Sequence, residues 1–160
     1  MNKNKVGFGA IFLVSFFLVA CPSQQNLNVA AVPENTKTLE IHVINVGQGD
    51  CFLIVSPSGR KVLIDAGNTG RGAGFVLPYL KNLGIILVDY IVASHYHSDH
   101  IGGLDEVVNG IGGSSHIVSA AFDRGGNYNS GAFRDYINSI GDKKKRSLPA
   151  RASISAMMSK

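Results

Sequence analysis

Ten consecutive residues, Ser94-His95-Tyr96-His97-Ser98-Asp99-His100-Ile101-Gly102-Gly103, constrain this chain more than any other feature. Three histidines and one aspartate fall within six positions of it. Imidazole nitrogen and carboxylate oxygen are the donors that hold zinc and similar ions in catalytic sites. The segment ahead, Val88 to Ala93, is apolar and β-prone, so the cluster sits just past the C-terminal end of a strand. Side chains two apart on extended backbone project to one side, so His95 and His97 are expected to grip one ion. Asp99 and His100 follow where the chain turns and are expected to face a second. Gly102-Gly103 is expected to let the backbone turn tightly before the next helix. The competing reading is a His-rich surface loop that binds no metal.

The elements around the cluster follow from pattern. Leu39 to Val46 alternates and then becomes apolar, as a partly buried strand does. His42 falls on its polar phase and reads as a solvated strand histidine. Ser56-Pro57-Ser58-Gly59 is a turn joining Cys51–Val55 to Lys61–Asp65 as a hairpin. Phe75 to Leu83 reads as a helix, with Pro78 in its first turn and Gly84 as its stop. A short helix is expected over 103–109, a strand over 116–122 and a helix over 131–140. An antiparallel start followed by alternating strands and helices implies a mixed α/β sandwich.

His95-x-His97-x-Asp99-His100 is similar to the HxHxDH signature of the metallo-β-lactamase superfamily. Val46-Gly47-Gln48-Gly49-Asp50, Leu63-Ile64-Asp65-Ala66-Gly67 and His100-Ile101-Gly102-Gly103-Leu104 further resemble the hydrolase domain of ComEC-type competence proteins. The resemblance runs over about residues 38 to 140. It implies an α/β fold, the N-terminal half of an αββα sandwich. It also implies two Zn²⁺ ions, although the ligand types suit manganese or iron as well. In the family, Asp65 packs behind the metal site and orients it; a plain end-of-strand or capping aspartate is the alternative. Asp99 is expected to orient an attacking water, and metal-bound hydroxide is the implied nucleophile. The implied substrate in ComEC-type relatives is a nucleic-acid phosphodiester; elsewhere in the superfamily it is a small molecule such as a β-lactam, thioester or lactone.

The family draws further ligands from a second half: a third histidine, a bridging aspartate and a last histidine. This sequence has no acidic residue after Asp142 and no histidine after His116. His116 stands at the start of an expected strand and does not match the family's third position. The chain is therefore expected to be a truncated hydrolase, or a short protein that completes its site by pairing through its exposed half-domain face. The alternative function is a non-catalytic, membrane-anchored lipoprotein remnant that binds metal weakly or not at all.

The remaining sequence concerns location. Lys3 and Lys5 precede an uncharged, mostly apolar run from Val6 to Ala20, short for a span and suited to a signal peptide. Leu18-Val19-Ala20-Cys21 resembles a bacterial lipobox, so residues 1–21 are expected to be a leader with lipidation at Cys21; an uncleaved anchor is the alternative. Residues 22–37 read as a flexible tether, 38–142 as the partial domain and 143–160 as a basic irregular tail. Both leader readings place the domain outside the cytoplasmic membrane, on the periplasmic or cell-surface side. With Cys21 lipidated, Cys51 is the single remaining thiol, expected to be buried and inert. The net charge of +4 hides a split: residues 38 to 142 carry six Lys/Arg against ten Asp/Glu. The folded part is thus no broad basic nucleic-acid surface, though a phosphate substrate is compatible with acidic residues that offset a cation.

Overall fold

The computed structural model describes residues 37–146. The leader with Cys21, most of the tether and residues 147–160 lie outside the described residues. No helix among the described residues is long and apolar enough to cross a membrane.

Six strands form one sheet in sequential order: β1 (Glu40–Val43), β2 (Phe52–Val55), β3 (Lys61–Ile64), β4 (Val88–Val92), β5 (Ile117–Asp123) and β6 (Lys144–Arg146). The first three pair antiparallel, and β3 to β6 pair parallel. The β2–β3 hairpin closes as its composition dictates. Gly59 takes a φ of +85°, its N–H donates to the Ser56 carbonyl, and the Arg60 N–H donates to Ser56 Oγ at 3.0 Å.

Parallel pairing needs crossovers, and the helices supply them. A π-helical turn (Gly72–Val76) and α1 (Leu77–Asn82) link β3 to β4. α2 (Ser98–Ile101) and α3 (Leu104–Ile111) link β4 to β5, and α4 (Gly131–Ile140) links β5 to β6. Pro78 lies in the first turn of α1, where its missing N–H costs least. Ser130 caps α4, accepting from the Phe133 N–H at 3.1 Å. Helix side chains Leu80, Leu104, Val107, Val108, Tyr136 and Ile140 join strand residues Leu53, Leu63 and Ile91 in one buried cluster. Each fully buried aliphatic side chain contributes about 1.5–3 kcal/mol. The opposite sheet face carries a second, smaller cluster, built from strand residues alone: Ile54 and Val62 with Ile64, Tyr90, Val92 and Phe122 around them.

Four expectations need correction. Lys144–Arg146, read from composition as part of an irregular tail, pair in register with Ala121–Asp123 as the sixth strand. The expected long first strand is regular only over Glu40–Val43; farther on, Gly49 packs against the Asp99 backbone of the metal motif. His42 is not solvated: its ring packs edge-on against Tyr79 and its Nδ1 shares a 2.9 Å hydrogen bond with the Tyr79 hydroxyl. Gly102 and Gly103 both have helical backbone with negative φ. They are glycines for lack of space, not for a tight turn. A Cβ at Gly102 would lie 2.4 Å from the Ser98 carbonyl oxygen, and one at Gly103 2.4 Å from that of Ala66.

Candidate metal centre

In open α/β sheets, ligands bind outside the carboxyl ends of the parallel strands. Here β3, β4 and β5 deliver Asp65, Ser94-His95 and Asp123 to that edge. Asp65 follows β3 with a φ of 54°, in the left-handed region that asparagine and aspartate tolerate best among non-glycine residues. That turn buries its side chain under the histidine loop, leaving the residue 1% exposed.

The Asp65 carboxylate accepts three hydrogen bonds. Oδ1 takes the Ser94 N–H at 2.9 Å. Oδ2 takes the Ser94 hydroxyl at 2.5 Å and His100 Nδ1 at 2.9 Å. Two consequences follow from proton counting. A carboxylate only accepts, so His100 carries its proton on Nδ1. The single Ser94 hydroxyl proton is committed to Asp65, so in the 3.0 Å contact between Ser94 Oγ and His95 Nδ1 the histidine is the donor. Both imidazoles therefore keep a lone pair on Nε2. Fixing the tautomer through the other ring nitrogen is how metal-ligating histidines are usually oriented.

The three histidine rings gather closely. The centroids of His95 and His100 are 3.9 Å apart, and those of His95 and His97 4.8 Å. Asp99, in the first turn of α2, accepts from Gln48 Nε2 at 3.4 Å. Partial desolvation opposes its ionisation. Hydrogen bonds from its own N–H and from Gln48, with the nearby His100 and His97, outweigh this and hold its pKa below the ordinary carboxylate value. Asp50 Oδ2 lies 3.7 Å from His100 Nδ1, an electrostatic neighbour rather than a hydrogen-bond partner.

The donor chemistry thus suits a divalent cation. Among the described residues, however, no three His, Cys, Asp or Glu side chains converge on one point. The rings of His95 and His97 stand at 78° to each other. His116 is not part of the set: it precedes β5, at the opposite end of the parallel strands, and its Nδ1 is 3.1 Å from the Gly112 carbonyl oxygen.

Several residues around the site were not singled out by sequence reading. Ser94 and Gln48 make the contacts described above, and both lie inside quoted motifs. Asp123 ends β5 as Asp65 follows β3, and it is 4% exposed. Its Oδ2 and the hydroxyls of Tyr96 and Tyr136 are buried without a hydrogen-bond partner among the described residues. Lys144 Nζ, on the corrected sixth strand, lies 3.6 Å from Asp123 Oδ2. Burial and then the facing Asp123 carboxylate push the Tyr96 phenol up to about 12. Tyr96 points inward between the two histidines that flank it, against Phe133 and beneath the Arg124 guanidinium.

Cys51 is 1% exposed inside the main core. Burial, with the Asp65 charge as a lesser cause, pushes its thiol up to about 12. We expect Cys51 to resist iodoacetamide at pH 8 in the folded protein and to react once denatured. Peptide mapping that finds Cys51 alkylated in the native state would show the thiol to be accessible.

A family model described as the metallo-beta-lactamase superfamily matches residues 44–142. Recombination protein 2 of Haemophilus influenzae is 33% identical over 95 residues, which cover 57% of this chain and 12% of that protein. Competence protein ComA of Neisseria gonorrhoeae is 35% identical over 77 residues, covering 48% and 11%. The chain thus spans only a small part of the length of these curated relatives. A solved metallo-beta-lactamase from Cronobacter sakazakii, a HARLDQ motif mutant, aligns with a TM-score of 0.41 at 23% identity, covering 51% of this chain and 30% of that one. The family match runs from the residue after β1 through α4 and takes in every side chain of the Asp65–histidine network, and the chain belongs to the metallo-beta-lactamase superfamily.

Proposed function

We propose that this chain carries one ligand-bearing half of a metal-dependent hydrolase centre, acting on phosphodiester bonds of nucleic acid. The observation that carries this reading is the pair of Nδ1 hydrogen bonds that leaves His95 and His100 with free Nε2 lone pairs. The names of the relatives, a recombination protein and a competence protein, support a nucleic-acid substrate over a small molecule.

In this proposal His95 and His97 hold one zinc ion and Asp99 and His100 a second. Bound zinc would lower the pKa of water toward neutrality and polarise a phosphoryl oxygen. The chain's own contribution is orientation. Asp65 fixes the ring of His100 directly and that of His95 through Ser94. Asp99, ionised at neutral pH and steadied by Gln48, accepts a hydrogen bond from the attacking water and aligns it. Two donors per ion fall short of the three protein ligands that catalytic zinc sites usually have, so the remaining donors come from outside the described residues. Lipid on Cys21 would hold the domain at a membrane surface of the cell envelope, on the periplasmic or cell-surface side. Self-association through the strand face on which Ile41 and Val43 stand exposed belongs to the same proposal.

The absence of a three-donor group among the described residues favours a second reading, a non-catalytic lipoprotein that binds metal weakly. One experiment separates the two. Joined to the C-terminal half of a close relative, the chain is expected to cleave DNA in the presence of zinc. His97→Ala or Asp99→Ala should then abolish turnover, whereas His42→Ala and His116→Ala should leave it intact. A well-folded hybrid that takes up one weakly held zinc ion or none and cleaves nothing would favour the second reading.

A further inference from the structure

We propose that the cleft beside His97, between the end of β5 and the start of α4, binds one nucleotide of a single-stranded nucleic acid, its base stacked on Tyr128 and its phosphate met by Arg134. This rests on the hydrolase reading above and names where its substrate sits.

The cleft has a volume of about 450 Å³ and is lined by Asn127, Tyr128, Asn129, Phe133 and Arg134. It opens next to the metal motif: the Tyr128 and His97 ring centroids are 6.1 Å apart. Phe133 is 8% exposed and packs on Tyr96 at 4.5 Å between centroids, so it forms a fixed floor. Tyr128 is 37% exposed, an aromatic surface open to solvent beside a donor cluster. Around it stand three polar side chains that no other described residue engages. The side-chain amides of Asn127 and Asn129 make no hydrogen bond among the described residues, and the exposed guanidinium of Arg134 makes no ion pair among them. An aromatic platform, two amides able to donate and accept, and one free guanidinium match the π-face, base edge and phosphate of a nucleotide.

Charge argues for this mode over duplex binding. Residues 37 to 146 hold eleven Lys/Arg against ten Asp/Glu. A duplex-tracking surface would need a basic stripe, and here one guanidinium beside a stacking ring serves instead. Tyr128 can reach a base face only where the neighbouring base is absent or splayed out, so the site selects single strands.

The test is fluorescence anisotropy with a fluorescein-labelled 12-nucleotide oligothymidine and the full chain, in EDTA so that no cleavage occurs. Tyr128→Ala is expected to weaken binding by about 5- to 150-fold, the measured worth of one stacked base. Tyr128→Phe keeps the ring and should retain the affinity. Arg134→Ala should reduce the slope of log K against log salt by about 0.7, one phosphate contact on a single strand. His116→Ala should change nothing, and the same oligonucleotide annealed to its complement should bind more weakly. Three results would each overturn the proposal: no binding by the wild-type chain, unchanged binding by Tyr128→Ala in a protein that melts normally, or equal binding of the duplex. None of these readouts involves turnover. A hybrid that cleaves DNA with a silent cleft sinks this inference alone, and an occupied cleft in a hybrid that never cleaves sinks only the hydrolase reading.

Discussion

Replacing Asp65 by asparagine is expected to lower zinc affinity by about 10- to 100-fold, the usual cost of losing the group that orients a metal-binding histidine. The amide has the carboxylate's shape, so the core around it need not change. What it lacks is the ability to accept at both ends. Asp65 receives a backbone N–H at Oδ1, and a hydroxyl and an imidazole N–H at Oδ2. If the new NH₂ faces Ser94 Oγ and His100, two donors oppose each other. His100 then resolves the clash by moving its proton to Nε2, and its free lone pair is lost. If the amide flips, the NH₂ meets the Ser94 N–H, and two donors oppose each other there instead. Neither orientation satisfies all three partners while His100 keeps its proton on Nδ1. Long-range ¹H–¹⁵N spectra of the metal-free protein report the tautomer directly, and a chelator titration reports the affinity. A variant with unchanged zinc affinity and its His100 proton still on Nδ1 would show that Asp65 does not set the tautomer.

The same residue shows what the sequence could and could not carry. That the donors of this site follow strand ends was legible from local pattern, because each apolar run stops one or two positions before them. The α4 boundaries were legible too, since Phe133, Tyr136 and Ile140 recur on one face of the expected 131–140 helix and are the residues it buries. The three-way bond of Asp65 was not, because its partners lie 29 and 35 residues away and only the parallel pairing of β3 with β4 brings them together. The sixth strand was hidden for a different reason. Lys144, Lys145 and Arg146 have the composition of a solvated tail, and the pattern of alternation is too short to see in three residues. Pairing with β5, together with the contact of Lys144 to the buried Asp123, overrides that composition. His42 failed similarly: its polar phase on β1 is real, but Tyr79 on α1 covers it.

The largest loss of stability is expected from Gly49→Ala, and comparison with Gly59→Ala shows why. Both glycines sit in connections between antiparallel strands, with φ of +95° and +85°. An alanine at either position incurs the left-handed backbone cost of about 1–2 kcal/mol. At Gly59 nothing lies within 4 Å of the new Cβ, so that is the whole effect. At Gly49 the Cβ would fall 1.6 Å from the Asp99 carbonyl oxygen and 2.7 Å from its carbonyl carbon. Those are backbone atoms in α2, and no rotamer change can move them aside. Either the 44–51 connection lifts away, breaking the Gly67 N–H bond to the Asp50 carbonyl and the Gln48–Asp99 contact, or α2 shifts and carries His97, Asp99 and His100 with it. Overpacking of this kind typically adds about 1–3 kcal/mol. At about 4–8 °C per kcal/mol for a domain of this size, Gly49→Ala should melt well below Gly59→Ala. It should also show faster amide exchange at Ser98 to Ile101, which Gly59→Ala should not. The two connections look alike in sequence, each a glycine-containing turn after a short strand. Equal melting temperatures for the two variants, with protected amides in α2, would mean that the first connection is not pressed against the metal motif.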